Sequence, residues 1–337
     1  MQDSREYKNI IHGDEYTQRM QTEVLPYLNA RCREARIPCV KGKEMERRIH
    51  VKRYLAEKAR GVVVICHGFS ESAQKYPELI YYFLKENYHV YIPEHCGHGL
   101  SYRLTEDPSL VHLDHWNRYS RDFLRISRLI RKAHRNLPLY VFAHSMGGAV
   151  AAIAASEDPC MYEKVILSSP MIRPLTGNVP YPAAVRIARM ACRTGHEKKY
   201  VAGQKPYEGT EQFEESSGLS RQRFERYKNI RRKYPAYQTY SPSYGWLYHA
   251  AKMNWYLQKY GWRQILAPVL LFQAETDRLV SNRSQDIFAE KINKYGKTFC
   301  KLVRVPGTRH EIFNSGDEIL KRYWGQVFDF LREDGEA

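Results

Sequence analysis

Ser145 lies in LYVFAHSMGGAVAAIAAS, residues 139–156, where an apolar strand pattern runs directly into a small-residue helix pattern. A serine hydroxyl is a weak nucleophile at neutral pH and needs an adjacent base, itself oriented by a third group. On a sharp strand-to-helix turn it also needs small residues two positions to either side, since a bulky side chain would collide with the turn. Gly147 meets that demand on one side, and Ala143 nearly meets it on the other. Asp277 ends the strand pattern APVLLFQAETD, and His310 follows FCKLVRVPG in TRHEIFNSG. Serine, then acid, then histidine is a workable chain order for nucleophilic acyl transfer. Two backbone donors could meet a developing oxyanion. One is the Met146 N–H at the helix start, and the other is the Phe69 N–H after the His67-Gly68 turn of CHGFSES.

Each residue has a plainer reading. Ser145 could be a helix N-cap, Asp277 could cap a helix starting near Asn282, and Glu275 is an alternative acid. With 13 histidines, any single one is more often structural. Together, on strand ends and in a consistent order, the three are read as nucleophile, acid and base. EHCGHGLS, residues 94–101, clusters His95, Cys96 and His98 too tightly for a standard metal site, and is read as a glycine turn.

The elements that must position these residues alternate. RIHVKRYLAE (48–57), GVVVICHG (61–68), YHVYIPEH (88–95), LPLYVFAHS (137–145), KVILSSP (164–170), APVLLFQAETD (267–277) and FCKLVRVPG (299–307) read as strands. Helical spacing occupies 73–87, 114–136 and about 317–333. The expectation is an α/β fold with a mainly parallel sheet covered by helices on both faces, its site beyond the carboxyl ends of the strands. Residues 171–262 break the alternation and are read as a helical cap inserted into a core of 46–170 and 263–337. Residues 1–45 form an N-terminal segment with weak patterning and no assigned function.

The chain has 337 residues and a net charge of +16, and the cap carries 16 Lys and Arg against 6 Asp and Glu. Such a surplus favours anionic partners. Arg118, Arg121, Arg125, Arg128, Arg131 and Arg135 on the 114–136 helix read as a solvated face, and with no accompanying motif no nucleic-acid partner is expected. The seven cysteines are scattered and contain no C-x-x-C. The N-terminus lacks a signal-peptide apolar core, and no apolar run approaches the ~18–20 residues that span a bilayer. A cytoplasmic location is expected.

CHGFSESAQKYPEL, EHCGHGLS, AHSMGGAV, ETDRLV and GTRHEIFNS together resemble α/β-hydrolases of the monoacylglycerol lipase and lysophospholipase L2 type, and YSPSYGWLYHAAKM resembles the latter. The resemblance covers nearly all of the chain after about residue 45. It implies an eight-stranded sheet, a cap after the sixth strand, no cofactor and an acyl substrate. Carried over, Ser145 is the nucleophile, Asp277 the acid and His310 the base, with Phe69 and Met146 at the oxyanion hole. The chain departs from the family pattern at Ala143 (usually glycine), Glu94 (usually aspartate) and Cys96 (usually arginine). The expected activity is hydrolysis of single-chain lipid esters, with the basic cap touching an anionic membrane surface peripherally. A proline-iminopeptidase-like peptidase, using the acidic stretch EGTEQFEE (208–215) to hold an amine, and a short-chain carboxylesterase remain open alternatives.

Overall fold

Four apolar runs, GVVVIC, LYVFAH, KVILS and VLLFQA, lie side by side as strands in which every residue is buried. Burial on both faces is what a parallel sheet sandwiched between helices requires. The computed structural model describes residues 6–39 and 47–333; the expected boundary at residues 45–46 lies outside them.

The chain opens with α1 (Tyr16–Arg19), joined through a π turn to α2 (Leu25–Arg31), then β1 (Cys32–Pro38) and β2 (Arg48–Tyr54). Next come β3 (Gly61–Cys66), α3 (Pro77–Lys85), β4 (Tyr88–Pro93), the two-residue β5 (Leu110–Val111) and α4 (Arg118–Ala133). β6 (Leu139–His144), α5 (Met146–Glu157) and β7 (Lys164–Ser168) follow. The long connection from β7 to the next strand of the sheet, read above as an insertion, holds α6 (Tyr181–Arg193), α7 (Arg221–Lys233), β8 (Ser241–Pro242) and α8 (Tyr244–Lys259). The chain closes with β9 (Val269–Ala274), α9 (Asn282–Tyr295), β10 (Cys300–Val305) and α10 (Asp317–Arg332).

The large sheet has the order β1-β2-β4-β3-β6-β7-β9-β10. β1 runs antiparallel to β2 and β2 antiparallel to β4, while every later pairing is parallel. The mainly parallel sheet expected from the alternation is therefore present, with the eight strands that the family resemblance implies. β1 belongs to the segment in which the sequence showed no element, and it supplies one edge of the sheet.

Side-chain alternation splits the core in two. Val62, Val64, Val141, Ala143, Val165, Leu167, Val269 and Leu271 pack with α4, α5 and α9 on one face. Val63, Ile65, Tyr140, Phe142, Ile166, Leu270 and Phe272 pack with α3 and α10 on the other, around the fully buried Trp324.

The insertion is fastened by buried charge as well as by apolar contact. On α7, Arg223 makes a two-pronged pair with Glu78 of α3, at 2.7 and 2.8 Å, and donates to the Ile11 carbonyl. Arg231 donates to Glu211 and to the carbonyls of Tyr237 and Thr239. Both guanidiniums are buried and fully engaged, Arg223 by residues far away in sequence and Arg231 by carbonyls six and eight residues on together with Glu211.

Candidate active site

Ser145 sits on the join between β6 and α5 with φ +54° and ψ −121°. A non-glycine residue holds such a backbone only where its surroundings impose it. Here its N–H donates to Ser168 O on the neighbouring strand, and its carbonyl accepts from Gly148 and Met171 N–H. The glycines after it allow α5 to lie against backbone. A Cβ on Gly147 would stand 2.1 Å from Cys66 O and 2.5 Å from His67 O, and one on Gly148 would stand 2.6 Å from Pro170 Cβ.

The serine hydroxyl does not cap α5. It lies 2.8 Å from His310 Nε2, while His310 Nδ1 lies 2.7 Å from Asp277 Oδ2. Asp277 Oδ1 accepts from Leu279 N–H at 2.9 Å and Val280 N–H at 3.0 Å. α9 is capped by Ser281, and the alternative acid Glu275 accepts the Gly307 N–H. Structure thus brings together residues 145, 277 and 310, and leaves 275 apart. Burial alone would raise the Asp277 carboxyl. The hydrogen bond and charge of His310 and the two N–H groups outweigh that effect and hold it below its ordinary value, so it stays an anion at neutral pH.

Met146 is the first residue of α5, where a helix leaves its N–H groups without intrahelical acceptors. Gly147 packs on the Cys66 and His67 carbonyls, which brings this helix start against the loop carrying Phe69. Two imidazoles and a carboxylate brace that loop. His95 N–H donates to His67 Nε2, so His67 carries its proton on Nδ1 and gives it to Gly68 O at 2.8 Å. Ser70 N–H donates to His98 Nε2, and His98 Nδ1 donates to Cys96 O. Glu71 Oε2 accepts the Gly68 N–H at 2.6 Å. His95, Cys96 and His98, read from sequence as a glycine turn, adjoin Gly97 and Gly99, both at positive φ. Glu94 belongs to the same turn: its carboxylate accepts from His50 and from the Ala73 and Leu100 N–H groups, and only a glycine at 99 leaves it room.

These braces require neutral imidazoles. Burial depresses His67, and burial with the charge of its neighbours depresses His98 still further. Burial also lowers His144, the residue before the serine, to about 4. Below about pH 6.5 the unfolded chain takes up protons that the folded protein refuses, so stability is intact above that pH and declines as pH falls through it. His50 acts in the opposite sense, because Glu94 and Glu34 raise it against its burial. Urea midpoints measured from pH 8 to pH 5 are expected to fall below about 6.5; a midpoint that stays level would contradict the neutral assignments.

The insertion closes over both loops. Trp246 of α8 packs on Phe69 with ring centroids 4.5 Å apart. Leu219 and Ser220 N–H donate to Asn314 O, and Glu311 N–H donates to Ser217 O. Ser145 is only 7 % exposed. Sequence reasoning missed Glu71 and Trp246 as site neighbours. Glu71 carried one local signal, a glycine three residues before it; Trp246 carried none, because its partner lies in another part of the chain.

Comparison with known proteins agrees with this architecture. The serine aminopeptidase, S33, family profile matches residues 57–317. Lysophospholipase L2 of Escherichia coli (strain K12) is 28% identical over 289 residues, covering 83% of this chain and 82% of that protein. Monoglyceride lipase of Rattus norvegicus is 31% identical over 113 residues, covering 34% of this chain and 36% of that protein. Among solved structures, a thermostable carboxyl esterase from Bacillus coagulans superposes with a TM-score of 0.70 at 17% identity, covering 89% of this chain and 98% of that one. A soluble variant of monoglyceride lipase from Saccharomyces cerevisiae gives 0.66 at 16% identity, covering 89% and 94%. The chain has the α/β-hydrolase fold and belongs to the serine aminopeptidase S33 family.

Proposed function

We propose that this protein is a serine hydrolase that cleaves the carboxylic ester of a single-chain lipid, a monoacylglycerol or a lysophospholipid, through an acyl-enzyme on Ser145. The observation that carries this reading is the continuous hydrogen-bonded line from Ser145 Oγ through His310 to Asp277. His310 Nε2 takes the hydroxyl proton as Oγ attacks the ester carbonyl, and Asp277 holds Nδ1–H and stabilises the imidazolium. The oxyanion meets the Phe69 and Met146 N–H groups. The imidazolium then protonates the leaving alcohol, and water repeats the cycle to free the fatty acid.

The relatives named lysophospholipase and monoglyceride lipase support the lipid ester. In this reading residues 171–262 are the cap. Their positive surplus supports contact with anionic lipid, at about 1 kcal/mol per Lys or Arg near the surface. Exposed Ile187 and Met190 on α6, interleaved with arginines, fit a peripheral contact. Among the described residues no helix is long and apolar enough to cross a membrane. The seven cysteines, all free, support a cytoplasmic setting.

The peptidase alternative needs a spare carboxylate for a substrate amine. Three of the four acids in 208–215 are already paired: Glu208 with Lys205, Glu211 with Arg231 and Glu214 with Arg221. Three arginines of α4 are likewise matched, Arg118 by Asp114, Arg128 by Asp158 and Arg131 by Glu163. That pairing disfavours a nucleic-acid surface.

A panel of monoacylglycerol, lysophospholipid, short-chain ester and peptide amide tests the reading. The single-chain lipids are expected to give the highest kcat/KM, and Ser145→Ala is expected to abolish turnover. Preference for the amide over every ester would overturn the substrate assignment.

A further inference from the structure

Beside the candidate site lies a buried set of charges that the hydrolytic steps above do not use. Lys75 Nζ donates to Glu71 Oε1 at 2.8 Å and to Glu311 Oε1 at 2.5 Å. The Lys75 and Glu71 side chains are only 9% and 5% exposed, so a single ammonium holds together two carboxylates largely withdrawn from water. Each carboxylate is engaged at its other oxygen. Glu71 Oε2 accepts the Gly68 N–H and the Tyr76 hydroxyl, which fixes the backbone one peptide before the Phe69 N–H. Glu311 immediately follows His310, and its Oε2 accepts from Asn314 Nδ2 at 2.6 Å. His144 fills the space between, its Nε2 3.7 Å from Glu71 Oε1 and its ring centroid 4.8 Å from that of His310.

We propose that Lys75 is a positioning residue: clamped between Glu71 and Glu311, it sets the loop that carries an oxyanion donor in register with the loop that carries the general base. The inference rests on the serine-hydrolase reading above. Two carboxylates facing each other away from water repel strongly, and without the cation one must be protonated or the loops must separate. A buried ion pair adds little net stability over apolar packing, so three desolvated charges here are better explained by the geometry they hold than by stability. The geometry matters because a misplacement of about 1 Å in a reacting group lowers rate on the order of 100-fold.

The full-length protein, assayed on a soluble short-chain ester, tests this with Lys75→Met, Lys75→Arg and Glu311→Gln, and with Ser145→Ala as reference. Lys75→Met is expected to fold and to lower kcat on the order of 10- to 100-fold, with KM within about twofold. Fluorophosphonate labelling should slow by the same factor, because the phosphonyl oxygen uses the same donors. Lys75→Arg should recover most of kcat, since a cation returns to the same two carboxylates. If Lys75→Met does not fold, Glu311→Gln carries the test. It removes the negative charge on one side of the bridge while keeping the Lys75–Glu71 pair, and must lower kcat at unchanged KM. Wild-type kcat in folded Lys75→Met or Glu311→Gln, a loss confined to KM, or Lys75→Arg as impaired as Lys75→Met would overturn the inference. Turnover surviving in Ser145→Ala would instead overturn the reading beneath it.

Discussion

Asp277→Asn is expected to lower kcat by about four orders of magnitude with little change in KM or fold. The reason lies in how the carboxylate is held. Its Oδ1 accepts from the Leu279 and Val280 N–H groups, and its Oδ2 faces His310 Nδ1. An asparagine must keep its carbonyl oxygen toward the two N–H donors, so its NH2 group points at Nδ1. Nδ1 then becomes the acceptor and the ring proton moves to Nε2, facing the Ser145 hydroxyl that it should deprotonate. Steady-state kinetics together with a thermal melt check this: a folded variant within tenfold of wild-type kcat would show that Asp277 does not set the tautomer.

Gly147→Ala is the second large effect, and it acts through sterics alone. The new methyl carbon would stand 2.1 Å from Cys66 O and 2.6 Å from Cys66 C. Both are backbone atoms at the end of a buried strand, and no side-chain rotation relieves the contact. The start of α5 must lift away from the loop after β3, which separates the two proposed oxyanion donors, Met146 and Phe69. Losing one oxyanion donor lowers kcat about 10²- to 10³-fold, and overpacking destabilises by about 1–3 kcal/mol. Both losses are expected together, read as kcat per folded molecule and as the urea midpoint. A variant with wild-type kcat would mean that the close approach of helix and loop is dispensable.

The contrast between these two residues shows what a sequence makes legible. Gly147 and Ser145 stand in one short strand-turn-helix run, and a nucleophile turn has local steric rules, so the position was readable from a few neighbours. Asp277 and His310 stand at the ends of apolar strands, which made them candidates, and the structure puts Glu275 on the Gly307 N–H rather than on His310. The four central strands were plain because burial on both faces leaves an unbroken apolar run.

What stayed hidden depends on partners far along the chain. CREARIP forms β1, whose seven residues are all at least partly exposed. An edge strand with charge on it lacks the apolar alternation that marks a half-buried one. Arg223 lies on a helix rich in charge, and its buried partners Glu78 and Ile11 stand far away in sequence. Lys75 and Glu311 come together through tertiary structure, with nothing local to announce the pair. Interactions set by i,i+4 spacing or by strand ends are written in neighbouring residues; those that close between loops are not.

Mapping a fluorophosphonate adduct by mass spectrometry decides whether Ser145 is a nucleophile activated by His310 and Asp277. The expected result is one adduct, on Ser145, formed in step with loss of ester hydrolysis and greatly slowed in His310→Ala. A folded protein that hydrolyses ester yet forms no adduct, or carries it on another residue, would contradict the claim.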